Sequence, residues 1–269
     1  MKIDAGVYFW KYAKTFRHPL IRENKIMQQQ YLPEQLTQSL HRNGLDGCIA
    51  VAAEQEEVET RFLAELALTH TEIRGVIGWI DLYNPDVAEK IQTFHPYVPL
   101  RGFWIETGKG SVPEPSVMEL LRDYQYTLDI SLNKDADMSS LKKWLKDNPE
   151  QQFILQDCGN PDTKEAPGSS WETSIRELSK IQNLSCKVSG LFERGNRKSW
   201  TPADFYPFLE ILFDSFGSKR LLYASDWPFL QLSGLYVQWK SLLEKFMERY
   251  PAEDRDFFFG ENAQHLYRL

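Results

Sequence analysis

Short apolar segments alternate along the chain with longer segments of mixed polarity. Eight apolar stretches have the length and the β-branched or aromatic content of buried strands, and they lie at residues 2–7, 47–52, 75–81, 98–105, 126–132, 152–157, 184–190 and 220–225. Between them, apolar residues near i, i+3 and i+4 spacing predict amphipathic helices at residues 56–68, 85–94, 116–124, 139–148, 171–181 and 201–216. Thr201 before Pro202, like Asn84 before Pro85, is a capping residue followed by a proline that suits the first helical turn.

The regular alternation of strand and helix predicts a parallel sheet with right-handed crossovers. Eight such units in 269 residues favour a closed (β/α)₈ TIM barrel over an open sheet, which stays the alternative. No stretch has the composition of an interdomain linker, so we predict a single domain over residues 1–269. In both architectures ligands bind at the carboxyl ends of the strands, and residues there are the candidates for function.

The composition of the chain argues against nucleic acid and membrane as binding partners. The formal net charge of −7 and the lack of a Lys/Arg cluster disfavour nucleic acid, because phosphate binding needs a basic face. No apolar run is long enough to span a bilayer and the amino terminus lacks a signal pattern, so we expect a cytoplasmic protein with a small-molecule substrate and no membrane partner. Three widely spaced cysteines, Cys48, Cys158 and Cys186, indicate reduced core thiols rather than disulfides or a zinc ribbon. The oligomeric state cannot be read from the sequence.

The last predicted strand ends on a carboxylate. Pro228 cannot extend a sheet ladder, so the strand stops near Asp226 and leaves that side chain at its carboxyl end, beside Trp227. Such a carboxylate can act as a general base. The alternative is that Asp226 caps the loop that follows it through backbone N–H groups.

Further polar and aromatic residues close the other predicted strands. The candidates are Tyr8, Arg101, Trp104, Gln156, Asp157, Lys187 and Trp227. Aromatic faces beside charged groups suit a sugar-like or carboxylate-bearing ligand. Asp129 also closes a strand, and we expect it to fix a turn or to hold an Arg or Lys side chain.

Two of these candidates have competing interpretations. Asp157 and Asp226 in one cavity can split their pKa values into an acid and a base. Alternatively, Asp157 forms a salt bridge with Lys187 or Arg101. Lys187 can bind a substrate carboxylate or polarise a lactone carbonyl, or it can belong to a structural ion pair.

Six segments together resemble the amidohydrolase-related family that includes sugar lactonases, and the resemblance runs from end to end. They are Ile3-Asp4-Ala5 followed by Phe9-Trp10, GVIGWIDL at 75–82, CKVSGL at 186–191, Trp200-Thr201-Pro202, SDWP at 225–228, and GENA at 260–263. The resemblance implies a metal-dependent type of TIM barrel whose members hydrolyse lactones, amides or related bonds, or in some branches decarboxylate.

The chain departs from the pattern of that family at its metal-binding positions. Where the family has His-X-His after the first strand, this chain has Gly6-Val7-Tyr8. Where the family has Asp-His-X-Gly-Lys-Pro, it has QDCGNP at 156–161, and the Arg-His pair reads Arg101-Gly102. The five histidines fall outside these motifs, so we expect no metal ligand and no cofactor, with oxygen-bound Mg²⁺ or Mn²⁺ left open.

The first hypothesis is therefore a lactonase-like hydrolase that works without a transition metal. Asp226 is its base, Asp157 its acid, and Lys187 or Arg101 stabilises the oxyanion. Substrate contacts are expected from Arg101, Tyr8, Trp104, Trp227 and Gln156. A catalytically inactive barrel that binds a sugar acid as sensor or scaffold is the second hypothesis. A lyase or isomerase that uses the same carboxylates for proton abstraction is the third.

Overall fold

Eight parallel strands form one sheet in which the neighbours follow chain order. The structure, a computed structural model, describes residues 1–97, 99–107, 112–163, 166–192 and 199–269. The strands are β1 (Ile3–Val7), β2 (Gly47–Val51), β3 (Ile73–Gly78), β4 (Leu100–Thr107), β5 (Thr127–Leu132), β6 (Phe153–Leu155), β7 (Leu184–Val188) and β8 (Leu221–Tyr223). Each coincides with a predicted strand. Residue 98, the first of the fourth predicted strand, lies outside the described residues.

The sheet closes on itself just after β8. The Tyr8 amide donates to the Trp227 carbonyl at 2.7 Å, and the Asp226 amide donates to the Gly6 carbonyl at 3.0 Å. These bonds join β1 to the segment that follows β8. The predicted (β/α)₈ TIM barrel is thus confirmed over the open sheet.

Helices connect the strands and cover the outside of the barrel. They are α1 (Pro19–Glu23), α2 (Pro33–Arg42), α3 (Glu57–Thr69), α4 (Val87–Phe94), α5 (Pro115–Asp123), α6 (Met138–Asp147), α7 (Ser169–Leu178), α8 (Pro202–Phe216), α9 (Tyr236–Met247), α10 (Ala252–Asp256) and α11 (Asn262–Tyr267). All six predicted helices are present. Thr201 begins α8 as predicted, and its amide donates to Asp204 Oδ2 at 2.6 Å. By contrast, α4 begins at Val87, two residues after Pro85.

Apolar side chains pack in two layers. The larger cluster lies between strands and helices, and a smaller one fills the barrel interior with Ile3, Ala5, Ile49, Val51, Ile77, Ile154, Leu222 and Ala224. Side chains of α11, among them Tyr267, join the interior cluster. Gln264 of α11 donates to the Met1 carbonyl at 2.8 Å, so the carboxyl-terminal helix covers the amino end of the barrel. The opposite end is left for ligands.

The cysteine prediction is also confirmed, because Cys48, Cys158 and Cys186 are buried free thiols. Burial raises the pKa of the Cys48 and Cys158 thiols well above the ordinary value. Among the helices of the described ranges, none has the length and apolar character needed to cross a membrane.

Candidate functional site

A buried ion pair lies inside the barrel. Lys187 is the fourth residue of β7 and only 2% exposed, and its Nζ is 2.6 Å from Oδ2 of the fully buried Asp129 on β5. The expectation that Asp129 would hold an Arg or Lys side chain is confirmed. Lys187 therefore pairs with Asp129 and not with Asp157, which the sequence had offered as a partner.

Three neighbours decide the charge state of Asp129. Burial raises the pKa of its carboxyl above the ordinary value, and the positive charge of Lys187 opposes this shift. Hydrogen bonds from Tyr267 and Gln156 oppose it further, with Tyr267 Oη 3.2 Å from Asp129 Oδ2. Burial and Asp129 together raise the pKa of Tyr267, so it stays a phenol that donates.

Asp226 lies at the carboxyl end of the barrel, as predicted, and is 4% exposed. Its backbone is left-handed, with φ of 54°, which is uncommon outside glycine. Oδ2 accepts a hydrogen bond of 2.6 Å from the Gly190 amide, in the segment that follows β7. This bond turns the carboxylate toward β7. The alternative from the sequence was that Asp226 caps the loop that follows it, whereas the Gly190 amide belongs to a different loop.

Asp157 belongs to a left-handed turn. Asp157, Cys158, Gly159 and Asn160 have φ angles of 51°, 52°, 71° and 58°. Successive non-glycine residues in this region are energetically unfavourable and concentrate at functional sites. The Ser189 hydroxyl donates to Asp157 Oδ1 at 3.0 Å.

The Ser189-Gly190 segment joins the two carboxylates, since Ser189 bonds Asp157 and Gly190 bonds Asp226. Gly190 has a φ of 75°, and a Cβ atom on it would lie 2.6 Å from the Asp157 Cβ. Only glycine fits this position without displacing Asp157. The geometry therefore holds Asp157 and Asp226 on either side of one short loop.

Gly6 lies close to both Asp226 and Lys187. A Cβ atom on Gly6 would lie 3.6 Å from Asp226 Oδ1 and 3.9 Å from the Lys187 Cδ, with Ala224 at 3.1 Å. This is a position where the resembling family carries a histidine. In this chain the position has no side chain, and a carboxylate oxygen and a lysine side chain both lie beside it.

The aromatic candidates separate into two groups. Tyr8 and Trp104 are half-buried and pack against the interior cluster. The Trp104 indole Nε1 is buried, and within the described ranges it has no hydrogen-bond partner. Trp227 is 3% exposed and packs against Phe9 and Tyr31, with ring centroids 5.7 and 5.4 Å apart. Its ring is part of the core, so the structure does not support the expected ligand stacking.

Arg101 requires a correction. The sequence analysis placed it at the carboxyl end of its strand, but it is the second residue of β4, at the amino end. A Cβ atom on Gly75 would meet Arg101 Cγ at 2.8 Å and the carboxyl-terminal Leu269 at 3.4 Å. Arg101 therefore lies beside the end of the chain that covers the barrel, opposite Asp226. Because β4 runs from Leu100 to Thr107, its carboxyl end lies six residues beyond Arg101.

The resembling family implies a metal centre, and the donors near Asp226 test whether one fits. No group of three or more His, Cys, Asp or Glu side chains in the described part of the chain could hold a metal ion. Among the five histidines, His18 has its ring stacked on Phe229 at 4.6 Å, and Phe229 in turn packs against Tyr8. His18 is thus less peripheral than the sequence suggested. The described donors nevertheless do not fit a zinc centre, which favours several imidazole or thiolate ligands.

Sequence reasoning missed residues that act through their neighbours. Tyr267 reaches Asp129 from α11 at the far end of the barrel, and no local pattern announces such a contact. Ser189 and Gly190 directly follow the buried strand β7, which ends at Val188, and a Ser-Gly pair after a strand is a turn signal that could have identified them.

These features define a class of protein: a parallel (β/α)₈ barrel with carboxylates, a buried lysine and aromatic side chains at its ligand-binding end. A family model described as amidohydrolase matches residues 3–269. The chain belongs to the amidohydrolase family.

Curated relatives and solved structures agree with this assignment. An L-fucono-1,5-lactonase from Burkholderia multivorans is 28% identical, with alignment over 100% of this chain and 96% of that protein. An L-fucono-1,5-lactonase from Burkholderia ambifaria is 25% identical over the same shares. A crystal structure of an amidohydrolase from Burkholderia multivorans with bound zinc superposes with a TM-score of 0.87 at 28% identity, covering 100% of this chain and 99% of the other. The relatives support a hydrolase of the lactonase-like kind.

Proposed function

We propose that this protein hydrolyses a 1,5-lactone of a sugar acid at the carboxyl end of its barrel, without a transition metal. The carrying observation is that Asp226 Oδ1 and the Lys187 side chain both lie beside Gly6, at 3.6 and 3.9 Å from where its Cβ atom would be. A base and a cationic side chain close to one point form an arrangement that suits lactone hydrolysis. The names of the two Burkholderia relatives point to the same reaction class.

In the proposed reaction, water attacks the lactone carbonyl carbon while Asp226 accepts one of its protons. The carbonyl oxygen takes up negative charge, which the nearby Lys187 ammonium stabilises. The ring C–O bond then breaks, and the ring oxygen receives the proton that Asp226 took from the water, which gives the open hydroxy acid and restores the Asp226 carboxylate. Esters of this kind need less carbonyl polarisation than amides, so losing a metal's contribution of several kcal/mol is more tolerable.

Asp226 is suited to the role of base by the way it is held. Its Oδ2 is fixed by the Gly190 amide, which leaves Oδ1 on the side of Gly6. Fixed orientation is a large part of catalytic efficiency. Trp104 contributes a buried N–H group for a substrate oxygen, and Tyr8 an aromatic face. The acid role predicted for Asp157 stays a prediction.

The test is hydrolysis of a panel of sugar-acid 1,5-lactones, including L-fucono-1,5-lactone, by protein treated with a chelator. We expect turnover that chelation leaves unchanged and that Asp226→Asn lowers by about 10² to 10⁴-fold, the usual contribution of a general base. Asp81→Asn is the matched control, because Asp81 follows β3 and accepts from the Tyr83 amide at 3.0 Å.

Three results would change the proposal. Turnover lost on chelation and restored by zinc would contradict the metal-independent part and keep the lactonase. Absence of turnover on every lactone would contradict the hydrolase. Thermal stabilisation by a sugar acid or lactone that is recovered unchanged would instead support the binding-protein hypothesis.

A further inference from the structure

A second cavity of about 330 Å³ lies between the loop after β1 and the start of α3. We call it the Glu59 pocket. Its apolar walls include Trp10, Phe16 and Phe62, and its charged walls are Glu54, Glu56, Glu59 and Lys11. These lining residues are distinct from Tyr8, Trp104 and Asp226 at the barrel mouth. A cavity of this size accommodates a small ligand.

Glu59 carries an unsatisfied acceptor in this pocket. The side chain is 7% exposed, and its Oε2 accepts a hydrogen bond of 2.6 Å from the Glu54 amide. Its Oε1 is buried, and no hydrogen-bond partner for it occurs among residues that the structure describes. A buried carboxyl oxygen without a hydrogen-bond donor is destabilising. A ligand bound in the pocket can supply the donor.

Glu54 cannot supply the missing donor, and it is itself held in place. Both of its carboxylate oxygens accept from the Arg17 amide at 3.0 Å, and Oε1 also accepts from the His18 amide at 2.6 Å. The loop after β1 thus fixes Glu54 beside Glu59. The pocket presents a negative wall whose geometry is set by main-chain N–H groups.

The aromatic wall already accepts an ammonium group. Lys11 Nζ lies over the Phe62 ring, 5.4 Å from its centroid, in a cation–π arrangement. Trp10 and Phe16 offer further aromatic surface, with ring centroids 6.4 Å apart. Carboxylates beside aromatic faces favour cations, and the missing donor on Glu59 favours cations that carry N–H groups.

We propose that the Glu59 pocket binds a small organic cation with N–H groups, a primary ammonium or a guanidinium. The cation donates to Glu59 Oε1, and its carbon atoms lie against Trp10 and Phe16. A quaternary ammonium balances the negative charge of the pocket but has no N–H group to donate to Glu59 Oε1, so it binds more weakly. A neutral alcohol can donate its O–H group to Oε1 but carries no charge, so it also binds more weakly.

Binding should release a proton. Burial raises the pKa of Glu59 to about 8, an effect that the Glu54 amide opposes and the negative charge of Glu54 increases. The described charged groups that line the pocket with it are Glu54, Glu56 and Lys11. Below about pH 8 the free pocket holds a protonated Glu59, and a bound cation favours the ionised form. Affinity therefore rises as the pH increases from about 6 to about 9.

The experiment is isothermal titration calorimetry of the full chain with n-butylammonium chloride. 1-Butanol and tetramethylammonium chloride are the neutral and the donor-free comparisons. We expect saturable binding of n-butylammonium that is at least about tenfold tighter than either comparison, the size of one charge-assisted hydrogen bond. Near neutral pH the measured enthalpy should depend on the ionisation enthalpy of the buffer, which reports the released proton.

Three variants complete the test. Glu59→Gln should weaken n-butylammonium about tenfold or more, whereas Glu65→Gln, exposed on the same helix, should leave it unchanged. Lys11→Met should tighten binding, because it removes the competing ammonium. Equal binding of 1-butanol, or unchanged binding in Glu59→Gln, would overturn the proposal. If Glu59→Gln misfolds, affinity in the natural chain that does not rise with pH overturns it as well.

Discussion

The inner surface of the barrel has two unlike halves. The strands β1 to β3 contribute the apolar side chains Ile3, Ala5, Ile49, Val51 and Ile77. The strands β5 to β8 add the polar side chains Asp129, Gln156, Lys187 and Asp226 to apolar ones. The charged side chains that the structure describes inside the barrel are therefore contributed mainly by its second half.

The strand β1 does carry a buried carboxylate, but it faces away from the interior. Asp4 Oδ2 accepts from the Tyr236 hydroxyl at 2.7 Å, and Oδ1 accepts from the Ser225 amide at 2.9 Å. These bonds fasten α9 and the end of β8 to β1. Asp4 thus serves the closure of the barrel, whereas Asp129 and Asp226 face the ligand end.

The largest expected effect concerns the ion pair of the polar half. Lys187→Met leaves the Asp129 carboxylate buried with Tyr267 and Gln156 as its remaining partners. Removing one member of a buried pair lowers the free energy of unfolding by about 3–5 kcal/mol, which urea unfolding at neutral pH measures.

The double variant Lys187→Met with Asp129→Leu is its control. An apolar replacement of the whole pair leaves no unpaired charge, so it should recover most of the stability that the single variant loses. A loss below about 1 kcal/mol in Lys187→Met would contradict a desolvated pair, since exposed ion pairs contribute that little.

Asp4 gives the second prediction, on the apolar half. Burial raises its pKa from 3.8 to about 6, against opposing hydrogen bonds from Ser225 and Tyr236. Because the pKa of Asp4 is higher in the folded state, its protonated form stabilises the fold. This contribution is fully present below about pH 4 and is lost as the pH rises through about 6. Relative to Asp4→Asn, which cannot titrate, the natural chain should lose about 3 kcal/mol of unfolding free energy between these limits.

The variant Tyr236→Phe tests whether the pH dependence of stability comes from Asp4. It removes one hydrogen bond that favours the ionised Asp4, so the window of pH-dependent stability should move to higher pH. The readout is the unfolding free energy of the three proteins as a function of pH. A constant difference between the natural chain and Asp4→Asn would show that Asp4 has an ordinary pKa.

The sequence predicted the barrel well because its signals are local. Apolar segments, helix spacing and the proline after Asp226 each act within a few residues, and together they placed all eight strands and the carboxyl-end position of Asp226. The amidohydrolase resemblance was likewise carried by short motifs. The helices α1, α2 and α9 to α11 were not predicted; the first two lie between β1 and β2, and the other three follow β8.

The site was predicted less completely because its contacts are distant in sequence. The pairing of Lys187 with Asp129 was open until the barrel placed β5 and β7 on either side of β6. Arg101 was misplaced by an error in the start of one strand, and Trp227 proved to be core. The Glu59 pocket was not predicted, because a glutamate in the first turn of a helix is ordinarily solvated.

The third prediction concerns Asp157 and tests whether this side chain takes part in the reaction or only positions its neighbours. If it positions the Ser189-Gly190 segment, Asp157→Asn can still accept the Ser189 hydrogen bond, and lactone turnover should fall by only about tenfold, equivalent to about 1.4 kcal/mol. If it is the acid, as the sequence predicted, turnover should fall by about 10² or more. Steady-state kcat/KM beside that of Asp226→Asn distinguishes the two roles.

The smallest expected effect compares equivalent apolar positions in the two halves. Ile77 on β3 and Ile154 on β6 are both fully buried in the interior cluster. Each Ile→Val change removes one methylene group, so each should lower the unfolding free energy by about 0.5–1.5 kcal/mol. Because neither side chain stabilises charge in the proposed reaction, kcat/KM should stay within about twofold of the natural chain. A much larger loss of turnover in Ile77→Val alone would mean that the apolar half also positions the reacting lactone. The assignment of the reaction to the polar half alone would then be wrong.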